Sequence, residues 1–227
     1  MIIETCPLFM LMDDFEKYLQ PTAAIDCNST IIQEKANLLL DGTESIVERS
    51  QKLFYFTRDS IRYNPYAALY PLQASETLKK GDGFCVQKAV LLAALLRAVG
   101  ILARLGFVDI RNHRLDPDWQ KIFRTDVVVF HGFTELFIEG RWLKATPAFD
   151  LRMCSENGFL PVEFDGTTHA MLHSHDLQNQ PHIDYVGERG HFEDVPTEII
   201  VETVTDAYGP KFLECWKSGN WDYFLSD

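Results

Sequence analysis

Cys85 and His131 are the residues whose types and settings could do chemistry together. Cys85 follows Gly81-Asp82-Gly83-Phe84 and opens a run, residues 86–99, in which only Gln87, Lys88 and Arg97 are polar. A run apolar almost all the way round predicts a helix through the middle of a domain, starting close to Cys85 and stopping at Gly100. The first turn of a helix carries unpaired backbone N–H groups and the positive end of the macrodipole. Both favour a thiolate over a thiol, and the same N–H groups can hold the oxyanion formed when a thiolate attacks an acyl carbon. The plain alternative is a buried cysteine serving as a small apolar residue. The glycines ahead of it weigh toward the nucleophile, because glycine suits a tight turn or the close approach of a ligand.

A cysteine nucleophile needs a base. Residues 127–138 are rich in β-branched and aromatic side chains, Glu139-Gly140 reads as a tight turn, and residues 141–146 return, which predicts a hairpin. On its first strand His131, Phe133 and Glu135 alternate with Gly132, Thr134 and Leu136, so the histidine shares a face with Phe133 and Glu135.

Gly83-Phe84-Cys85 opening an apolar helix, Gly100-Ile101-Leu102-Ala103-Arg104 closing it, and His131-Gly132-Phe133-Thr134-Glu135 followed by Gly140-Arg141-Trp142 resemble the transglutaminase-like superfamily of papain-type folds. The resemblance spans residues 56–150 and implies that Cys85 is the nucleophile and His131 the base. The family's third member is an aspartate on the returning strand, just before a proline; Thr146 stands there, in Lys144-Ala145-Thr146-Pro147. A threonine hydroxyl can accept from an imidazole N–H and fix its tautomer, but it brings no charge to stabilise an imidazolium. Asp150 or Asp165 would supply a carboxylate if the chain folds back, and the sequence does not choose among the three. Leu102 in place of a proline and Phe133 in place of a tryptophan are smaller departures.

By this resemblance the chemistry is acyl transfer through a thioester on amide or carboxamide bonds, as an amidase, a peptidase or a transglutaminase, with a protein or peptide as substrate. The competing reading is a scaffold that has lost turnover and kept a cleft for protein or peptide ligands. Neither a cofactor nor a metal is expected. His169, His173 and His175 gather in one polar segment, but no acid stands where the HExxH mechanism needs it.

With 227 residues, 46% of them apolar, the chain has ample material for a core. A net charge of −12 argues against nucleic acid or an anionic membrane as partner. The N-terminus has Glu4, no basic n-region, and an apolar run, residues 7–12, stopped by Asp13-Asp14, so neither a signal peptide nor a span is read there and a cytoplasmic location is expected. Cys6, Cys27, Cys85, Cys154 and Cys215 are odd in number and have no close pairs, which reads as reduced thiols.

The expected organisation is one domain, 1–227: a helical part at 1–55, a core at 56–150, and a C-terminal extension, 151–227, packed on the core. Helices are expected at 31–40 and from Thr43 through Phe56. Residues 64–73 read as extended and residues 102–110 as a first strand; the resemblance implies that the extended stretch lies near the nucleophile, with Tyr66 and Tyr70 lining the cleft. The polar connection at 111–124 is long enough to overhang a cleft. Residues 157–166 read as a short strand and turn, and Ile199, Val201 and Val204 alternate before a helical, aromatic C-terminus. The fold class is α+β: N-terminal helices, then a central buried helix packed on an antiparallel sheet, in a papain-like, transglutaminase-like core by the resemblance.

Overall fold

A computed structural model of the protein describes residues 15–226. Cys6 and the apolar run at 7–12 lie outside the described residues. Helices α1 (Thr30–Leu39) and α2 (Ile46–Ser60) lead to a two-residue strand β1 (Arg62–Tyr63), then α3 (Ala74–Lys80), β2 (Asp82–Gly83) and the central helix α4 (Cys85–Ala98). Next come β3 (Ala103–Asn112), α5 (Pro117–Phe123), β4 (Val127–Ile138), β5 (Arg141–Ala145) and α6 (Leu151–Asn157). The chain continues through β6 (Ile183–Phe192), α7 (Thr197–Tyr208), α8 (Pro210–Ser218) and α9 (Asp222–Leu225). Four strands form an antiparallel sheet in the order β5-β4-β3-β6, with α4 packed on it, so the class is α+β.

Every residue of α4 from Cys85 to Arg97 is buried. Its three polar members bind the helix to the chain around it. Gln87 accepts from the Phe84 N–H (3.3 Å) and donates to the carbonyls of Ala68 (3.1 Å) and Pro71 (3.2 Å). Lys88 donates to the carbonyls of Arg58 (2.9 Å) and Ile61 (2.6 Å), tying down the end of α2. Burial pushes the Lys88 amine down to about 7, against the pull of Asp150 and Asp59. Arg97 donates to three carbonyls, those of Ala103, Gln20 and Glu193.

The β4–β5 hairpin turns through Glu139 (φ 49°) and Gly140 (φ 84°), the two positive φ angles of a type I′ turn. On β4, Thr134 Oγ1 donates to the Ala89 carbonyl at 2.8 Å, so this face meets α4. At Gly132 the approach is closer still: a Cβ there would lie 3.0 Å from Val86 Cα and 3.1 Å from Val86 Cγ2. The strand carries no side chain where the first turn of α4 touches it.

Several elements differ from expectation. The connection at 111–124 contains α5, with Asp116 accepting from the Asp118 N–H (2.9 Å) and Pro117 at the first helical position. Residues 157–166 hold no strand; the ordered element there is α6, just before, capped by Asp150. The alternation near Ile199 is helical, and Ile200 and Val204, four apart, are the buried pair of α7. On α2 the buried face is Ser50, Leu53, Phe54 and Thr57, while Ile46 and Phe56 are more exposed. Among the described residues no helix is long and apolar enough to cross a membrane.

Gly132→Ala tests the close approach. The obstructing atom is backbone, so no rotamer change relieves it, and urea unfolding should show a loss of about 1–3 kcal/mol.

Candidate active site

Cys85 and His131 line one cavity. On the cysteine side, β1 and β2 form a short parallel ladder that sets Tyr63 opposite Gly83, and the Asn64 N–H donates to the Gly83 carbonyl at 3.0 Å. This brings Tyr63 to the cavity beside Cys85. On the histidine side, Phe130 adopts φ 55°, a conformation costing about 1–3 kcal/mol for a residue with a side chain. Its N–H donates to Asp109 Oδ1 at 3.0 Å, and Asp109 is gripped in turn by Arg189, whose Nη2 lies 2.6 Å from Oδ2. The β3–β4 register shifts opposite this point, between Val108 and Ile110. A bulge of this kind re-aims the next side chain, here His131. Beyond it Phe133 covers Gly106 and Glu135 pairs with Arg104 (2.5 Å), and neither reaches the cavity.

Of the three residues considered for the third position, Thr146 meets the histidine. Its Oγ1 lies 3.1 Å from His131 Nε2, with both residues buried, and its backbone N–H is anchored on the Ala170 carbonyl at 2.8 Å. Asp150 is spent elsewhere, accepting from the N–H groups of Tyr63 (2.7 Å) and Met153 (2.8 Å). Asp165 accepts from the N–H groups of Thr167 and Thr168 in an exposed turn, which holds its carboxyl down to about 2.

The electrostatics correct one expectation. Burial pushes the Cys85 thiol up, and the opposing backbone N–H groups of Gly132, Val86 and Cys85 itself only reduce the rise. Burial also takes the His131 imidazole from its usual 6.5 down to about 4. With no carboxylate on Nε2, burial draws both the thiol and the imidazole toward their neutral forms. The helix N-terminus alone does not make a thiolate here.

Tyr66 and Tyr70 do not line the cavity. Tyr66 stacks on Trp119 (ring centroids 4.9 Å) and Tyr70 is 46% exposed. Tyr63 takes the place expected of them. Burial, with the charge at Cys85 as a second cause, raises its phenol far above the usual range, so the hydroxyl is a permanent donor. It has no hydrogen-bond partner among the described residues. The hydroxyl of Tyr208, also at the cavity, is already used: it donates to the Val127 carbonyl (2.9 Å) and accepts from the Val129 N–H (2.7 Å). A large part of the remaining wall comes from α5, α7 and α8 and from Trp221 just ahead of α9, through Trp119, Phe123, Val204, Phe212 and Trp216. The C-terminal extension therefore closes the cavity as well as packing on the core.

His169 accepts from the Lys144 N–H (3.0 Å), His173 faces the Pro161 carbonyl (3.1 Å) and His175 bonds Ser174 Oγ (3.0 Å). Among the described residues no group of three or more His, Cys, Asp or Glu is placed to hold a metal. Cys27, Cys85, Cys154 and Cys215 are buried free thiols.

His182 lies against Phe149 and Phe159, with ring centroids 6.1 and 4.0 Å away, and neither ring nitrogen has a partner among the described residues. Burial takes it down to about 4 against the pull of Asp176, with Arg114, His173 and His113 adding to the fall. For His131 and His182 alike, the unfolded chain binds a proton near 6.5 and the folded chain only near 4. The unfolded state holds more protons in that window, so stability falls as pH drops through it. His182→Phe should flatten this decline by about 1 kcal/mol per pH unit, read by urea unfolding across the window.

The family model for the transglutaminase-like superfamily matches residues 33–147, a span that contains Cys85, His131 and Thr146. Among solved structures, a candidate cysteine protease from Cytophaga hutchinsonii superposes with a TM-score of 0.52 at 19% identity, covering 85% of this chain. The match takes in 51% of that protein, so the chain spans about half its length, and the likeness is one of fold. A candidate protease from Parabacteroides distasonis matches at a TM-score of 0.37 and 14% identity over 58% of this chain and 25% of its own. No curated protein matches the sequence. With the family model covering half of its residues, the helix, strand and strand around the cavity inside the match, and a neighbour of the same fold, the chain belongs to the transglutaminase-like superfamily.

Proposed function

We propose that the protein is a cysteine-dependent acyl-transfer enzyme acting on amide bonds of peptides or proteins. The observation that carries this is the shared cavity of Cys85 and His131 with Thr146 on His131 Nε2. If Nε2 carries its hydrogen and donates it to Thr146 Oγ1, Nδ1 keeps its lone pair and is the base. Cys85 Sγ attacks the carbonyl carbon as Nδ1 takes the thiol proton, and the carbonyl becomes an oxyanion. The oxyanion is held by the Tyr63 hydroxyl and the N–H groups at the first turn of α4. It collapses with cleavage of the C–N bond, and His131 returns the proton to the leaving amine. The thioester then passes to water, whose proton goes to His131 and on to Cys85 Sγ as the C–S bond breaks, or to an amine acceptor by the same steps. Four buried free thiols fit a reducing, cytoplasmic setting.

A second reading has an observation of its own. Thr146 supplies no charge to the imidazolium that the mechanism needs, and a scaffold without turnover would keep the cavity as a peptide-binding cleft.

The test is turnover of amides found by screening peptide libraries. Cys85→Ser should lose activity by several orders of magnitude, and Tyr63→Phe by on the order of 10²-fold, the effect of one oxyanion donor. Thr146→Val should lower kcat by about tenfold with the fold intact, and Thr146→Asp should raise activity at neutral pH. A wild-type protein that turns nothing over, while Cys85→Ser binds the same peptides unchanged, leaves the binding reading in its place.

A further inference from the structure

The cavity beside Cys85 has a volume of about 150 Å³, the space of one benzene ring. Much of its wall is aromatic, with Phe84, Trp119, Phe123, Phe212, Trp216 and Trp221 among the lining rings. They support one another, with Trp119 edge-on to Trp221 at 5.1 Å and Phe84 to Trp216 at 5.3 Å. Such a wall rewards an apolar occupant.

The charged and polar groups at the rim are already committed. Arg114 is neutralised by Asp176, a carboxylate with no exposed side-chain surface. Asp116 caps α5, and Asn112 Oδ1 accepts from the Arg114 N–H at 2.9 Å. No unpaired cation is left there to hold an anionic ligand, and the Asp116 carboxylate, in no ion pair among the described residues, disfavours one further. The indole of Trp221 is used too, donating to the Tyr66 carbonyl at 3.0 Å. One donor is not: the Trp119 Nε1–H is buried and has no acceptor among the described residues.

From these features we infer that the cavity is the acyl pocket: it takes an uncharged apolar acyl group the size of one aromatic or branched aliphatic side chain. This rests on the acyl-transfer reading, which places the carbonyl carbon at Cys85 Sγ. The substrate class is an amide whose acyl side is phenylalanine-like or leucine-like, not glutamate-like or glycine-like.

Binding is measured on Cys85→Ser, which forms no thioester, by ligand-detected NMR with phenylacetamide, isovaleramide, acetamide and the anion succinamate. Phenylacetamide and isovaleramide should bind at least about tenfold more tightly than acetamide or succinamate, from the apolar area buried. Adding Val204→Phe to Cys85→Ser, to fill the cavity, should abolish that preference. Equal binding of all four amides, or tightest binding of succinamate, overturns the pocket. Turnover of phenylacetyl and acetyl anilides by the wild-type protein separates the two ideas. Selective binding with no turnover removes the acyl-transfer reading and leaves an apolar pocket, whereas turnover of both anilides at equal rates removes the acyl pocket and leaves the enzyme.

Discussion

The site depends on a contact made possible by a missing side chain. At Gly132 the first turn of α4 comes so near to β4 that a Cβ would sit 3.0 Å from the Val86 backbone. One residue earlier on the strand is His131; one residue earlier on the helix is Cys85. The two catalytic candidates are therefore brought together by backbone packing, not by attraction between them. The cost of holding the strand in this shape appears at Phe130, in the left-handed region, and is offset by the Asp109 carboxylate that receives its N–H and by Arg189 behind it. A site assembled this way is pre-organised before any ligand arrives, because neither residue has to travel.

Burial then decides the chemistry at rest. A helix N-terminus draws a thiol toward its anion, but desolvation of Cys85 acts more strongly and in the opposite direction. A carboxylate on Nε2 would have tilted the balance toward an ion pair, and Thr146 cannot. Asp150, the nearest acid in the sequence, is used to fix Tyr63 and to cap α6. In this chain the carboxylate thus lies on the Tyr63 backbone and at the start of α6, not on the imidazole, and in the proposed mechanism the proton moves during attack instead of leaving a preformed thiolate.

Much of this was legible in the sequence where the signal was local. The run behind Cys85 is apolar on every side because α4 is buried on every side, and Glu139-Gly140 marks a type I′ turn. Thr146 could be named but not chosen over Asp150, because the choice depends on where α6 starts. What stayed hidden depends on contacts distant in the chain. β6 reads poorly because Gly187, Glu188, Arg189 and Gly190 interrupt any alternation in a mostly exposed edge strand. The β-branched residues of α7 imitate a strand until Ile200 and Val204 find the core. Tyr63 gains its place through a two-residue pairing with Gly83, and no composition rule favours it over Tyr66. The aromatic C-terminus was visible as helical, but nothing within it says that it walls a cavity.

The most direct test is the pH dependence of alkylation at Cys85, read by peptide mass spectrometry in the wild-type protein and in Thr146→Asp. A buried neutral pair predicts that wild-type Cys85 reacts with an apparent pKa above about 8.5, the value of a free thiol, and that the aspartate variant brings it lower. A wild-type Cys85 that reacts at an undiminished rate well below neutral pH would show a standing thiolate–imidazolium pair and contradict the account.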